Sequence, residues 1–257
     1  MKNTRKAGPE KRPGKIRLWA VLFWLLVWQA AAMALSQRLL LVSPLEVILR
    51  LSDLVRTASF WRSILFSFSR ISGGFLLSAL SGILLAAFSA RFPRFGDLLA
   101  PLMLAIKSIP VASFIILALI WLNSKNLSIL IVFLMVLPIL YTNTLEGIRN
   151  CDRSLLEMAS LFRMGSWRML RFIYLPEVLP YFHAAAVTAL GISWKSGTAA
   201  EVIGVPDGSI GEALYEAKIY LETPDLFAWT LVIVLVSFIF EKLILRLLDL
   251  LSFSLSS

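Results

Sequence analysis

Apolar residues in this chain come in long, nearly unbroken stretches rather than in the alternating or one-faced patterns of soluble elements. Six such stretches fall at roughly 17–36, 64–90, 98–122, 127–146, 180–202 and 227–248. A hydrocarbon core about 30 Å thick needs roughly 20 apolar residues per helical crossing, so each stretch is long enough to span it. The pattern predicts an all-α integral membrane protein with six transmembrane helices. Two polar breaks stand out between them. The segment 37–63, with Pro44 and four arginines, predicts an external connection containing a short amphipathic helix. The segment 203–226 holds the turn formers Pro206, Asp207, Gly208, Gly211 and Pro224, and reads as an external acidic loop.

Within the second stretch, Gly74, Ser78, Gly82, Ala86 and Ala90 recur at a four-residue interval. They share one helix face, and small residues there allow another helix to approach closely. Pro110 in the third stretch removes a backbone hydrogen bond and predicts a bend or a break in the helix there. No internal repeat is evident, which argues against an inverted-repeat secondary transporter.

Composition sharpens this picture. The chain has 257 residues, 58% of them hydrophobic, and its 16% charged content lies below the roughly 25% usual in soluble domains. The net charge of +9 follows topology rather than a nucleic-acid-binding face. With both termini in the cytoplasm, sixteen basic residues lie inside and six outside, as the positive-inside rule requires. The basic residues of 1–17 precede an apolar run, Leu18 to Leu35, broken only by Gln29. Ala32-Met33-Ala34 imitates a signal-cleavage site, but the run exceeds the usual signal core and favours an uncleaved first span.

Chemistry is sparse. The single Cys151 excludes an intrachain disulfide and a cysteine-rich metal site. His183, the only histidine, reads as an interfacial hydrogen-bonding group, and no metal cluster forms around it. Trp19, Trp24 and Trp28 read as lipid contacts. The serines lack the histidine and carboxylate company of a nucleophile, so an enzyme is not expected. No G-x-x-x-x-G-K-[ST] phosphate loop is present for ATP hydrolysis.

The most informative stretch is Glu157 to Pro176, a charged insert between spans four and five that carries Arg163, Arg168 and Arg171. Leu155, Met158, Ala159 and Phe162 recur at helical spacing, and a second amphipathic piece runs from Trp167 to Ile173, ended by Leu175-Pro176. This predicts a cytoplasmic helix-turn-helix attached stiffly to two membrane helices, with an apolar face suited to a groove on another protein.

The loop resembles the E-A-A-x(3)-G-x(9)-I-x-L-P signature of importer permeases of the ATP-binding cassette class. Glu157, Ala159, Ile173, Leu175 and Pro176 match in type and spacing, and Met158 replaces the middle alanine. Arg163 stands where the signature has glycine, at a left-handed turn that costs a non-glycine residue roughly 1 kcal/mol or more. The expectation is that Gly165 takes over the turn. Similarity to the nitrate, sulfonate, taurine and bicarbonate branch extends over about 61–246. It includes Ser67-x-x-Arg70-x-x-x-Gly74-Phe75 with Gly82; Pro101-Leu102 through Ala105, Lys107, Ile109-Pro110 and Trp121; and Pro180-Tyr181, Trp194 and Ala200-Glu201.

The resemblance implies a type I ABC importer permease fold with cytoplasmic coupling helices, in a multi-pass cell-membrane protein with both termini cytoplasmic. It divides the chain into a basic cytoplasmic tail (1–16), a first transmembrane helix with its external connection (17–60), the permease domain (61–246) and a cytoplasmic tail (247–257). It implies a second permease copy, cytoplasmic ATPase subunits that use the ATP, an extracytoplasmic solute-binding protein, and no cofactor bound by this chain. The solute would be a small anion or zwitterion of the sulfonate, taurine or nitrate kind. The rival reading is a self-sufficient secondary transporter or channel. Candidate pathway residues are Arg70, Lys107, Pro110, Trp194, Lys195 and Glu201. Lys195 leads, because ionisable groups at membrane depth mark polar pathways, although its ammonium could instead snorkel outward. Glu201 lies six positions on, about 240° around the helix, so a direct pair with Lys195 is not expected.

Overall fold

A computed structural model describes the backbone of residues 18–35 and 40–256, with the side chains of all of these except 251 and 253–256. The basic tail expected over 1–16 lies outside the described residues. Every described element is helical: α1 (Leu18–Leu35), α2 (Pro44–Leu54), α3 (Ala58–Arg91), α4 (Pro93–Ser108), α5 (Val111–Trp121), α6 (Ser124–Arg149), α7 (Arg153–Leu161), α8 (Ser166–Met169), a π-helical turn (Leu170–Tyr174), α9 (Leu175–Gly204), α10 (Ile210–Ile219) and α11 (Thr223–Ser256). Among the described residues, four helical segments are long and apolar enough to cross a bilayer, and the bent pair α4–α5 makes a fifth.

The centre is a three-helix layer with α6 between α3 and α9. Its tight packing on α3 follows from the small face seen in the sequence: Gly74, Ser78, Gly82 and Ala86 are all buried. A Cβ at Gly74 would lie 2.7 Å from the Ile129 carbonyl oxygen, and one at Gly82 would lie 3.2 Å from Leu140 Cβ. Ser78 Oγ donates to the Phe133 carbonyl at 2.7 Å, adding a polar tie where the backbones are closest. Ile71, Phe75, Val136, Leu140, Ala189 and Trp194 fill the space between the three helices. Phe240 of α11 closes this core, edge-on to Phe75 with ring centroids 5.8 Å apart.

The third span takes the broken form of the bend or break expected at Pro110: two helices meet at 106°. Ile109 leaves the helical region at φ −76°, ψ 128°, and Pro110 becomes the residue before α5 rather than a residue inside a helix. Proline disfavours the α conformation in the residue before it, so the break falls at Ile109. α4 then packs beside the end of α3, and α5 packs against α6 and α9.

At the opposite end, the expected amphipathic helix is α2, with Val47 buried and its start capped by Ser43 Oγ accepting from the Glu46 amide. The acidic loop is not a simple loop: it contains α10. Ser209 Oγ accepts from the Glu212 amide at 2.9 Å, while the Glu212 carboxylate accepts from the Gly208 amide. Arg50 of α2 grips Asp225 of α11 through two hydrogen bonds, one of them 2.8 Å from Nη2 to Oδ2. This partner raises the Arg50 pKa above its ordinary value. No residue of α1 is buried. Trp19 and Trp24 are exposed as lipid contacts would be, whereas Trp28 tilts onto Phe227 and donates to the Val42 carbonyl at 3.1 Å.

Candidate functional site

The loop after α6 begins at Asp152, whose carboxylate caps α7 by accepting from the Ser154 amide at 2.9 Å and the Ser154 hydroxyl at 2.7 Å. These two donors hold its pKa below the usual carboxylate range. Beside it the Cys151 thiol is buried, which pushes its pKa up. Along α7, Ala159 is fully buried while Glu157 and Met158 face outward.

The turn at the end of α7 corrects one expectation. Arg163 itself adopts the left-handed conformation, with φ 48°. Gly165 sits in extended backbone (φ −64°, ψ 150°), where any residue fits. The Met164 amide donates to the Ala159 carbonyl and the Arg163 amide to the Ser160 carbonyl, at 2.9 and 3.0 Å. This is a Schellman closure with arginine in the glycine position. The turn keeps its place in the chain because the two hydrogen bonds stabilise it against the strain.

A second correction concerns Leu175-Pro176, which does not end the following helix. Met169, Leu170, Tyr174 and Leu175 all keep right-handed helical angles, so α8, the π turn and α9 form one continuous rod from Ser166 to Gly204. Proline lacks an N–H and its ring collides with the carbonyl four residues earlier, here Phe172. The wider i→i+5 turn at 170–174 accommodates it. Ile173 is buried, whereas Leu161, Phe162 and Trp167 are 82%, 79% and 72% exposed. Glu157, Arg163 and Arg168 are exposed as well, so the loop presents both apolar and charged side chains that nothing in the chain covers.

The six candidate pathway residues are not brought to one place. Lys107 and Pro110 are exposed at the α4–α5 break. Lys195 is exposed on a groove of about 590 Å³ between α9 and α11, in company with Thr198, Ser237 and Glu241. Trp194 borders the same groove but is itself buried, packed towards Phe68 and Phe240.

Glu201 is buried on the other face of α9, with no direct pair to Lys195. Its Oε2 accepts from Ser67 Oγ at 2.6 Å and from the Gly211 amide at 3.4 Å. Ser67 Oγ in turn accepts from the Ile210 amide at 2.9 Å. One carboxylate therefore joins α3, α9 and the start of α10. A Cβ on Gly211 would fall 2.3 Å from Glu201 Cβ, so only glycine permits this approach. Arg70 has its guanidinium 4.1 Å from the Phe66 ring centre.

Sequence reasoning missed three partners. Ser67 was visible three residues before Arg70, but only the fold shows that it receives Glu201. Glu241 shares the groove of Lys195 from a distant helix. Asp249 Oδ1 lies 3.3 Å from His183 Nε2, tying α9 to α11. Among the described residues no group of histidine, cysteine or carboxylate side chains is arranged to hold a metal ion.

Comparison with known proteins agrees with this geometry. The family described as "Binding-protein-dependent transport system inner membrane component" matches residues 80–257. The chain is 26% identical over 257 residues to the putative aliphatic sulfonates transport permease protein SsuC of Bacillus subtilis, covering 96% of this chain and 91% of the relative. It is 30% identical over 201 residues to the Escherichia coli protein of the same name, covering 77% and 75%. It is 29% identical over 236 residues to the riboflavin transport system permease protein RibX of Chloroflexus aurantiacus, covering 88% and 87%. The fold resembles a chain of the MetNI methionine ABC transporter in inward-facing form, with TM-score 0.53, 16% identity and coverage of 73% and 93%. It also resembles a chain of an amino acid ABC transporter with histidines, with TM-score 0.51, 16% identity and coverage of 74% and 89%.

Proposed function

Because the chain belongs to the family of binding-protein-dependent transport system inner membrane components, we propose that it forms the translocation pathway of a type I importer. In this reading two copies pair in the membrane, an ATPase subunit docks on the loop of each copy, and a solute-binding protein delivers solute at the opposite face. The chain is a permease and not itself an enzyme; ATP is hydrolysed by the partner subunits. The permease domain runs over 61–246 and holds five of the six crossings; α1 is the first, the bent α4–α5 pair the third and α11 the sixth, and both termini are cytoplasmic.

The observation that carries this reading is the uncovered face of α7 and α8 at the head of a continuous rod. Apolar side chains as exposed as Leu161, Phe162 and Trp167 mark an interaction surface when they form one patch. The patch stands on a helix that runs from Ser166 to Gly204, so a displacement of its partner moves a membrane helix directly. A secondary transporter or channel has no use for such an attachment.

The solute is a small anion or zwitterion. Relatives named for aliphatic sulfonates, taurine and nitrate support this class, and Lys195 on the α9–α11 groove supplies a cation at membrane depth. The deciding experiment is Glu157→Lys in the assembled complex. Reversing this exposed charge is expected to abolish ATPase copurification and transport while leaving the purified permease folded. Undiminished ATPase binding and transport would overturn the docking assignment, and solute flux by the permease alone under an ion gradient would favour the secondary transporter.

A further inference from the structure

A second groove, of about 440 Å³, lies where α3 and α6 end beside the π turn and the start of α9. Its chemistry is graded along the helix axis. Ile83, Ala87 and Arg91 follow one another at four-residue intervals on one face of α3, apolar at depth and cationic at the helix end. From Ile83 to Arg91 the helix rises about 12 Å. Arg149, the last residue of α6, brings a second guanidinium. Both arginines are exposed, and among the described residues neither forms an ion pair. Thr144 also borders the groove, and its Oγ1 is buried with no hydrogen-bond partner. Tyr174 of the π turn contributes a phenol to the wall.

We propose that this groove binds one anionic phospholipid of the inner leaflet. The phosphate sits between Arg91 and Arg149, the glycerol ester region reaches the Tyr174 phenol, and one acyl chain runs along Ala87 and Ile83. Arginines at helix ends face lipid headgroups in most membrane proteins. What distinguishes this pair is the apolar slot beneath it. A free inorganic anion would leave the slot empty, and an acidic side chain of a docked subunit would not reach Ile83. Because Tyr174 belongs to the rod that carries the docking face, the bound lipid braces that rod against α3 and α6. The proposal rests on the cytoplasmic orientation given above only in assigning the leaflet.

The test uses the purified permease–ATPase complex in nanodiscs of phosphatidylcholine containing phosphatidylglycerol, followed by native mass spectrometry of retained lipid. Wild-type complex is expected to retain phosphatidylglycerol in preference to phosphatidylcholine, one per permease copy. The double variant Arg91→Ala/Arg149→Ala should lower that retention about thirtyfold, from two cationic contacts removed together. Arg94→Ala, a neighbouring arginine that does not border the groove, should leave it unchanged. Ala87→Trp fills the slot while keeping both charges, and should also expel the lipid; this keeps the proposal testable if the double variant misfolds. Wild-type retention in both groove variants, no preference over phosphatidylcholine, or displacement of the lipid by inorganic phosphate at millimolar concentration would each overturn it. Lipid retention is read without ATP turnover, so its failure is separable from failure of the transport assignment.

Discussion

Arg163 shows how a single side chain tolerates a position that favours glycine. Its φ of 48° is held by two backbone hydrogen bonds and by exposure, since the guanidinium meets no packed neighbour it must displace. Arg163→Gly is therefore expected to stabilise the loop by about 1 kcal/mol, seen as slower amide exchange at Met164 and Arg163. An unchanged or faster exchange would mean that the side chain contributes contacts of its own. Asp152 gives a pH-dependent counterpart. Its folded pKa is depressed, so the cap contributes at any pH above the unfolded value near 3.9 and is lost as pH falls through the folded value. Protection of the Ser154 amide should be flat across neutral pH and collapse only in acid. Glu201→Ala leaves the Gly211 amide and the Ser67 hydroxyl without their acceptor, at a cost of about 1–3 kcal/mol. Glu201→Gln keeps an acceptor oxygen and should retain most of the thermal stability that alanine loses.

Among the helices, the α3–α6 contact is the least forgiving. Gly74→Leu drives a side chain into the Ile129 carbonyl and should separate the pair by overpacking; loss of folded material on size-exclusion chromatography is the expected result. This contact was legible in advance, because five small residues at one interval leave no other use for that face. Four of the six expected spans, and a fifth as the bent α4–α5 pair, were legible for the same reason: uninterrupted apolar length admits little but a membrane helix. Three features were not. Pro110 announced a bend, but its 106° angle depends on α5 finding α6 and α9. Leu175-Pro176 read as a terminus because proline usually stops a helix, whereas a π turn just before it allows the helix to continue. α10 was hidden by turn formers, although Ser209 with Glu212 three residues later is a capping signature that could have revealed it. The site was legible in part: the loop carried its own spacing, but the partners of Glu201 and Lys195 come from helices far apart in sequence.

Across the molecule, the rod from Ser166 to Gly204 ties the α7–α8 loop at one end to Glu201 and α10 at the other. Inserting two glycines between Tyr174 and Leu175 would make this joint pliable while preserving the docking face itself. Such a variant should still bind and support ATP hydrolysis by its partners while solute uptake falls by an order of magnitude or more, measured as moles of solute per ATP. Uptake at the wild-type ratio would show that force travels by another route. A rigid shaft has no preferred direction, and linkage between two equilibria is reciprocal. In the proposed assembly, a solute-binding protein that grips Gly204 and its neighbours would therefore also alter how tightly the ATPase on the distant loop holds its nucleotide.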